Sequence, residues 1–181
     1  MRISATSAKS DFLLRQTNLN DMEELSALIH ASYDILMRDA YGDENLNSIL
    51  PMIAHANSKL VASGRYYLIY RKSDLKFVAC GGWSPFRPGT GNDGKTDYAR
   101  GPANIRHVAT HPEFLGLGFA RRIVEQCFAD ARAMQFQDME CLSSLNAVPF
   151  YESVGFATIE NVEVSLPQDT TMKSVFMLAK L

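Results

Sequence analysis

The chain has 181 residues, 18 Lys and Arg against 20 Asp and Glu, and a net charge of −2. That size supports one domain with a proper core, and the near-neutral balance removes the basic footprint of a nucleic-acid-gripping protein. Apolar residues at 46% with 21% charged ones describe an ordinary globular chain. No run of about 18 apolar residues marks a membrane span.

Residues 1–10 are small and polar and read as a flexible leader, leaving residues 11–181 as one domain. Phe12, Leu13 and Leu14 open a strand. Helix-start residues from Thr17 to Asp21 then precede Met22, Leu25, Leu28, Ile29 and Ser32 at helical spacing. A second helix is predicted over Glu44–Ser63, with Pro51 near a boundary or kink and Gly64 at its end. Tyr66–Tyr70 and Lys76–Trp83, split by Lys72, Ser73 and Asp74, have the pattern of a β-hairpin. Gly81 and Gly82 inside its second strand suggest a bulge or close backbone approach.

Pro85–Gly101 is dense in Gly, Pro, Asn and Asp and reads as a long loop. Ala103–Thr110 reads as a strand. Ala120, Ile123, Val124, Cys127, Phe128, Ala131 and Met134 form an amphipathic stripe. A short strand at Met139–Leu142, a short helix at Ala147–Val154 closed by Gly155, and two strands at Phe156–Leu166 and Lys173–Leu181 complete the chain. The fold class is α/β, a mixed layer in a single domain. Cys80, Cys127 and Cys141 are odd in number and lack a CxxC pair, which points to buried hydrophobes in a reducing cytoplasm and to no metal site.

Charge is uneven along the chain. Seven acids (Asp21, Glu23, Glu24, Asp34, Asp39, Asp43, Glu44) stand against Arg38 between Asn20 and Glu44. Five bases (Lys95, Arg100, Arg106, Arg121, Arg122) stand against Asp97 and Glu113 between Lys95 and Arg122. Such runs are either two solvated faces or the sides of a site for a cationic and a phosphorylated ligand.

The segment from His111 to Arg122 lies between a strand and a helix and contains Gly116 and Gly118. A helix start leaves about four amides without internal partners, and glycines let an anion approach them. Alone, this pattern is equally a bland turn. About thirty residues on, Ser143–Phe156 carries Ser144, Asn146, Tyr151 and Gly155. Together the two segments resemble the GNAT superfamily of acetyl-CoA-dependent N-acetyltransferases over roughly Arg65–Leu181. The resemblance implies a mixed, mostly antiparallel central sheet flanked by helices.

It also implies roles for particular residues. The family's Gln/Arg-x-x-Gly-x-Gly/Ala motif falls on Leu115, Gly118 and Ala120, with Leu115 in place of the usual polar residue. Their amides, with those of Gly116, Leu117 and Phe119 and the charge of Arg121, would bind the pyrophosphate of coenzyme A. Val108, Ala109 and Thr110 would run along the pantetheine arm, with an amide near Val108 polarising the thioester carbonyl. Ser144 or Asn146 would either contact the cofactor or cap a helix. Tyr151 matches the general acid that protonates the departing thiolate. The candidate base is His107, which a bulge would turn toward the site; Asn104 and Arg106, where the family often has its base, are poor bases. Glu23, Asp34, Asp39 and Tyr41 either line the acceptor site or lie on a solvated helix face.

The expected activity is direct acetyl transfer from acetyl-CoA to a primary amine, without metal. The alternative is a catalytically inactive CoA-binding sensor or interaction module. The expected partners are a small-molecule or peptide amine and a second copy in a homodimer, with no nucleic acid and no membrane. An acidic acceptor side between Asp21 and Glu44 would favour a cationic amine.

Overall fold

The computed structural model describes residues 11–86 and 101–181. The leader at 1–10, most of the 85–101 loop, and Lys95, Asp97 and Arg100 lie outside the described residues. Seven strands form one sheet: β1 (Phe12–Gln16), β2 (Tyr66–Arg71), β3 (Phe77–Ser84), β4 (Ala103–Thr110), β5 (Asp138–Ser143), β6 (Ala157–Leu166) and β7 (Thr170–Lys180). Their spatial order is β1-β2-β3-β4-β5-β7-β6. Every neighbouring pair is antiparallel except β4 and β5. The helices are α1 (Met22–Leu36), α2 (Arg38–Tyr41), α3 (Asp43–Ile53), α4 (Ser58–Val61), α5 (Phe119–Ala133) and α6 (Val148–Ser153). No helix among the described residues is long and apolar enough to cross a membrane.

The sheet separates two cores. On one side α5 buries Ile123, Val124 and Cys127 against Ile69, Ala79, Trp83 and Met139. On the other, α1, α3 and α4 bury Leu25, Ile29, Leu46 and Val61 against Tyr66 and Cys80. Burying each such aliphatic side chain stabilises the fold by about 1.5–3 kcal/mol, so the helical stripes dictate which faces meet the sheet. Asp130 on α5 accepts hydrogen bonds from the Tyr67 phenol and, at 3.4 Å, from the Trp83 indole, fastening that helix to β2 and β3.

The predicted helix over Glu44–Ser63 is two helices, and the four-residue α2 precedes them. Pro51 sits in the last turn of α3, and the chain leaves the helix at Ala54. Asn57 then starts α4 afresh, its side chain accepting from the Leu60 amide at 3.0 Å. The predicted hairpin is β2–β3. Gly81 and Gly82 are a close approach: a Cβ on Gly82 would lie 2.3 Å from the Arg65 carbonyl oxygen, and one on Gly81 would lie 2.8 Å from Ile123.

Candidate active site

β4 and β5 are paired only at Ala103–Met139 and Asn104–Glu140. Beyond that point β4 runs on to Thr110 and β5 to Ser143 without a shared hydrogen-bond ladder, so the middle of the sheet opens into a gap. A cavity of about 510 Å³ occupies this opening. Val108 and Thr110 wall it from β4, and Leu115, Gly116 and Gly118 from the following loop. Phe119, Ala120 and Arg121 wall it from the first turn of α5, and Ser144, Asn146 and Tyr151 from the segment after β5. Three predicted residues lie off this wall: Ala109 is buried in the core under α1, Leu117 is half exposed, and His107 faces elsewhere.

The loop leaves a run of amides unused. No amide from Leu115 to Arg121 donates to a described protein group, and the first bond of α5 is from Arg122 N–H to the Gly118 carbonyl at 3.1 Å. Gly116 and Gly118 have φ of +74° and +81°, and a Cβ on either would meet nothing within 4 Å. Glycine is needed there for the backbone conformation, which aims successive amides at one place as anion-binding loops do. The Thr110 hydroxyl is also buried without a partner. These donors, together with the positive end of α5, fit an anionic, polar-stemmed cofactor such as coenzyme A.

Arg121 lines the cleft but is engaged: Nη2 donates to the Ser153 carbonyl at 3.0 Å, tying α5 to α6. Neither Ser144 nor Asn146 caps the turn that follows β5; Ser144 precedes it with no side-chain cap bond, and its carbonyl accepts from the Ala147 amide. Tyr151 is 8% exposed, packs against Phe150 and Phe156, and its hydroxyl bonds to no described residue. Burial pushes that phenol well above its ordinary pKa, so it stays protonated.

A bulge lies at His107, but it does not bring that side chain onto the cleft wall. Its φ is +46°, and the β3–β4 register shifts between Cys80 and Gly82. Burial, then the neighbouring Arg106 and His55, lower the His107 imidazole to about 4, which leaves it neutral at physiological pH. Two residues that sequence reasoning passed over lie in or behind the wall of the cleft. Tyr33 walls the cleft from α1, one helical turn beyond Ile29, and is an electrostatic neighbour of Tyr151. Its place in the stripe of α1 was the available signal. Glu140 on β5 is 2% exposed and accepts from the Asn104 side chain at 3.1 Å; nothing local in the sequence marks it.

The acidic run does not line the cleft. Tyr41 has a bracing role instead: its hydroxyl donates to the Lys173 carbonyl at 2.6 Å and accepts from the Leu145 amide at 3.0 Å, holding the turn after β5. Among the described residues no cluster of His, Cys, Asp or Glu could hold a metal ion.

Comparison with known proteins gives a consistent picture. The family model described as acetyltransferase (GNAT) domain matches residues 94–166. No curated protein matches the sequence. Among solved structures, a GCN5-related N-acetyltransferase from Rhodopseudomonas palustris is 18% identical, with a TM-score of 0.72, covering 100% of this chain and 99% of that one. The PaiA N-acetyltransferase from Thermoplasma acidophilum, in complex with coenzyme A, is 11% identical, with a TM-score of 0.67 over 94% of this chain and 99% of that one. An agmatine N-acetyltransferase in its apo form is 13% identical, with a TM-score of 0.62 over 94% and 100%.

Proposed function

We propose that the chain is a GNAT acyltransferase that moves an acetyl group from acetyl-CoA to a primary amine by direct transfer, a reading supported by the domain match over residues 94–166 and the shared fold. The observation that carries this reading is the run of unused amides from Leu115 to Arg121 beside a free, buried phenol at the opening between β4 and β5. The coenzyme A bound in the Thermoplasma protein and the amine named for the agmatine enzyme support donor and acceptor class.

Bound acetyl-CoA supplies a thioester carbonyl and a thiolate leaving group. The amides of the 115–121 loop hold its pyrophosphate, and β4 from Val108 to Thr110 lines its pantetheine arm. An amide near Val108 donates to the carbonyl oxygen as negative charge develops there. Tyr151 delivers its proton to the departing sulfur. The burial that raises this phenol also disfavours a thiolate beside it, so the proton still moves between groups raised together. His107, off the cleft wall and with its imidazole lowered to about 4, is not placed to take the proton of the amine. Cys80, Cys127 and Cys141 are buried with their thiols pushed up (Cys80 to about 12), which suits transfer without an acyl-cysteine. Three buried free thiols also suit the cytoplasm.

Thermal-shift titration with acetyl-CoA followed by thiol release across an amine panel tests the reading. Saturable stabilisation with amine-dependent release is expected. Binding without release for every amine would make the protein a CoA-binding module, and no shift would remove the donor altogether.

A further inference from the structure

Several charges of the acidic segment are consumed within the fold. Asp21 is closed in a two-point pair with Arg15, at 2.7 and 2.8 Å. Asp34 and Asp43 both hold Arg38. Glu23, Glu24, Asp39 and Glu44 are exposed, and among the described residues no Asp or Glu walls the cleft. The described wall of the cleft thus offers a purely cationic acceptor no carboxylate.

Arg106 is the contrasting residue. It lies on β4 immediately before the bulge, part-buried, and its one hydrogen bond among the described residues is a long one of 3.4 Å from Nη1 to the Ser84 hydroxyl. Arg15, Arg38 and Arg71 each hold an aspartate, whereas Arg106 has no carboxylate partner among the described residues. Arg106 does not itself wall the cleft; its electrostatic neighbours are the phenols of Tyr66 and of Tyr33, and Tyr33 does. His107 and His55 beside it add no negative charge, and the Glu140 carboxylate on the same face is buried against Asn104. A part-buried guanidinium without an anion is costly to keep, and its planar fork matches a carboxylate at two points. Val108, beside which the thioester would sit, is two residues away, and the bulge at His107 makes the separation shorter than the roughly 6–7 Å of a regular strand. An amine and a carboxylate on one small skeleton span that interval.

We propose that Arg106 reads a carboxylate on the acceptor, and that the acceptor is an amino acid or a similar amine bearing a carboxylate; this rests on the transfer reading above. The test compares the common amino acids with their methyl esters and decarboxylated amines, by thiol release from acetyl-CoA and by calorimetry on the CoA-saturated full chain. The best acid is expected to exceed its ester and its decarboxylated amine at least tenfold in kcat/KM. Arg106→Gln lowers the value for the acid about ten- to hundredfold, mainly through KM, and that for the ester much less; Arg106→Lys recovers part of the loss. An ester or decarboxylated amine equal to its acid in the unmodified protein overturns the proposal, as does an equal loss for acid and ester in Arg106→Gln. Should no amine release thiol, transfer fails as the function, and calorimetry still decides. Selective binding of the acid that Arg106→Gln abolishes upholds the carboxylate site, and equal or absent binding removes it.

Discussion

The Tyr66 hydroxyl donates a 2.9 Å hydrogen bond to the His107 carbonyl, fastening the bulge of β4 to a phenol on β2 that is 1% exposed. A bulge leaves a backbone group outside the ladder, and a buried one must find another partner. Tyr66→Phe deletes that partner and leaves the carbonyl buried. The variant is expected to lose about 1–3 kcal/mol in urea unfolding and to lose kcat as Val108 shifts. A loss below about 0.5 kcal/mol with full turnover would mean that the bulge holds without the phenol.

His107 links that same bulge to pH. Its folded-state pKa, lowered to about 4, lies below the ordinary value of 6.5. Between those values the unfolded chain binds the extra proton, so stability is fully present above pH 6.5 and is lost as pH falls toward 4. The loss is on the order of 3 kcal/mol. Asparagine tolerates positive φ better than most residues, so His107→Asn keeps the bulge while removing the titration. Unfolding free energies at pH 7 and pH 4.5 should converge in this variant relative to the unmodified protein. Parallel losses in both would assign the acid sensitivity to other groups.

The same region shows where sequence reading succeeded and where it ran out. Local chemistry marks the strand at Ala103–Thr110, the glycines at 116 and 118, and the stripe of α5, because each is set by neighbours a few residues apart. The position of the bulge is not local. His107 is neither Gly nor Asn, and the phenol that holds its carbonyl is 41 residues away. Likewise the acidic run gives no sign that Asp21 is consumed by Arg15, or Asp34 and Asp43 by Arg38. A charge count shows which residues are present, whereas pairing in the fold decides which charge remains for a ligand.

Gly82 and Gly118 are glycines for different reasons, and substitution separates them. An alanine at 82 would place Cβ 2.3 Å from the Arg65 carbonyl oxygen and 2.7 Å from the Tyr66 Cα, a backbone clash between paired strands. Gly82→Ala is expected to cost about 3 kcal/mol or more, at the upper end of overpacking. At Gly118 nothing lies within 4 Å, so the cost of alanine is conformational, about 1–2 kcal/mol at a φ of +81°. Gly118→Ala should therefore remain folded by urea titration and bind acetyl-CoA more weakly by thermal shift. Undiminished binding would place the cofactor phosphates elsewhere.

Tyr151 and Tyr33 put two phenols into one cleft, and their separate and joint removal identifies the proton donor. The Tyr151 hydroxyl has no described partner, and its ring keeps its contacts with Phe150 and Phe156 without it. Tyr151→Phe should thus unfold like the unmodified protein and keep its affinity for acetyl-CoA, while kcat falls about 10²–10⁴-fold for loss of a general acid. Equal loss of kcat and donor affinity would make Tyr151 a packing residue. Tyr33, electrostatically coupled to Tyr151 and equally held protonated by burial, is the neighbour able to supply a proton in its place. If it does, Tyr151→Phe alone falls short of that range and the double substitution with Tyr33→Phe exceeds the product of the single effects. Independent, multiplicative losses would confine proton delivery to Tyr151 and leave Tyr33 as a wall of the cleft.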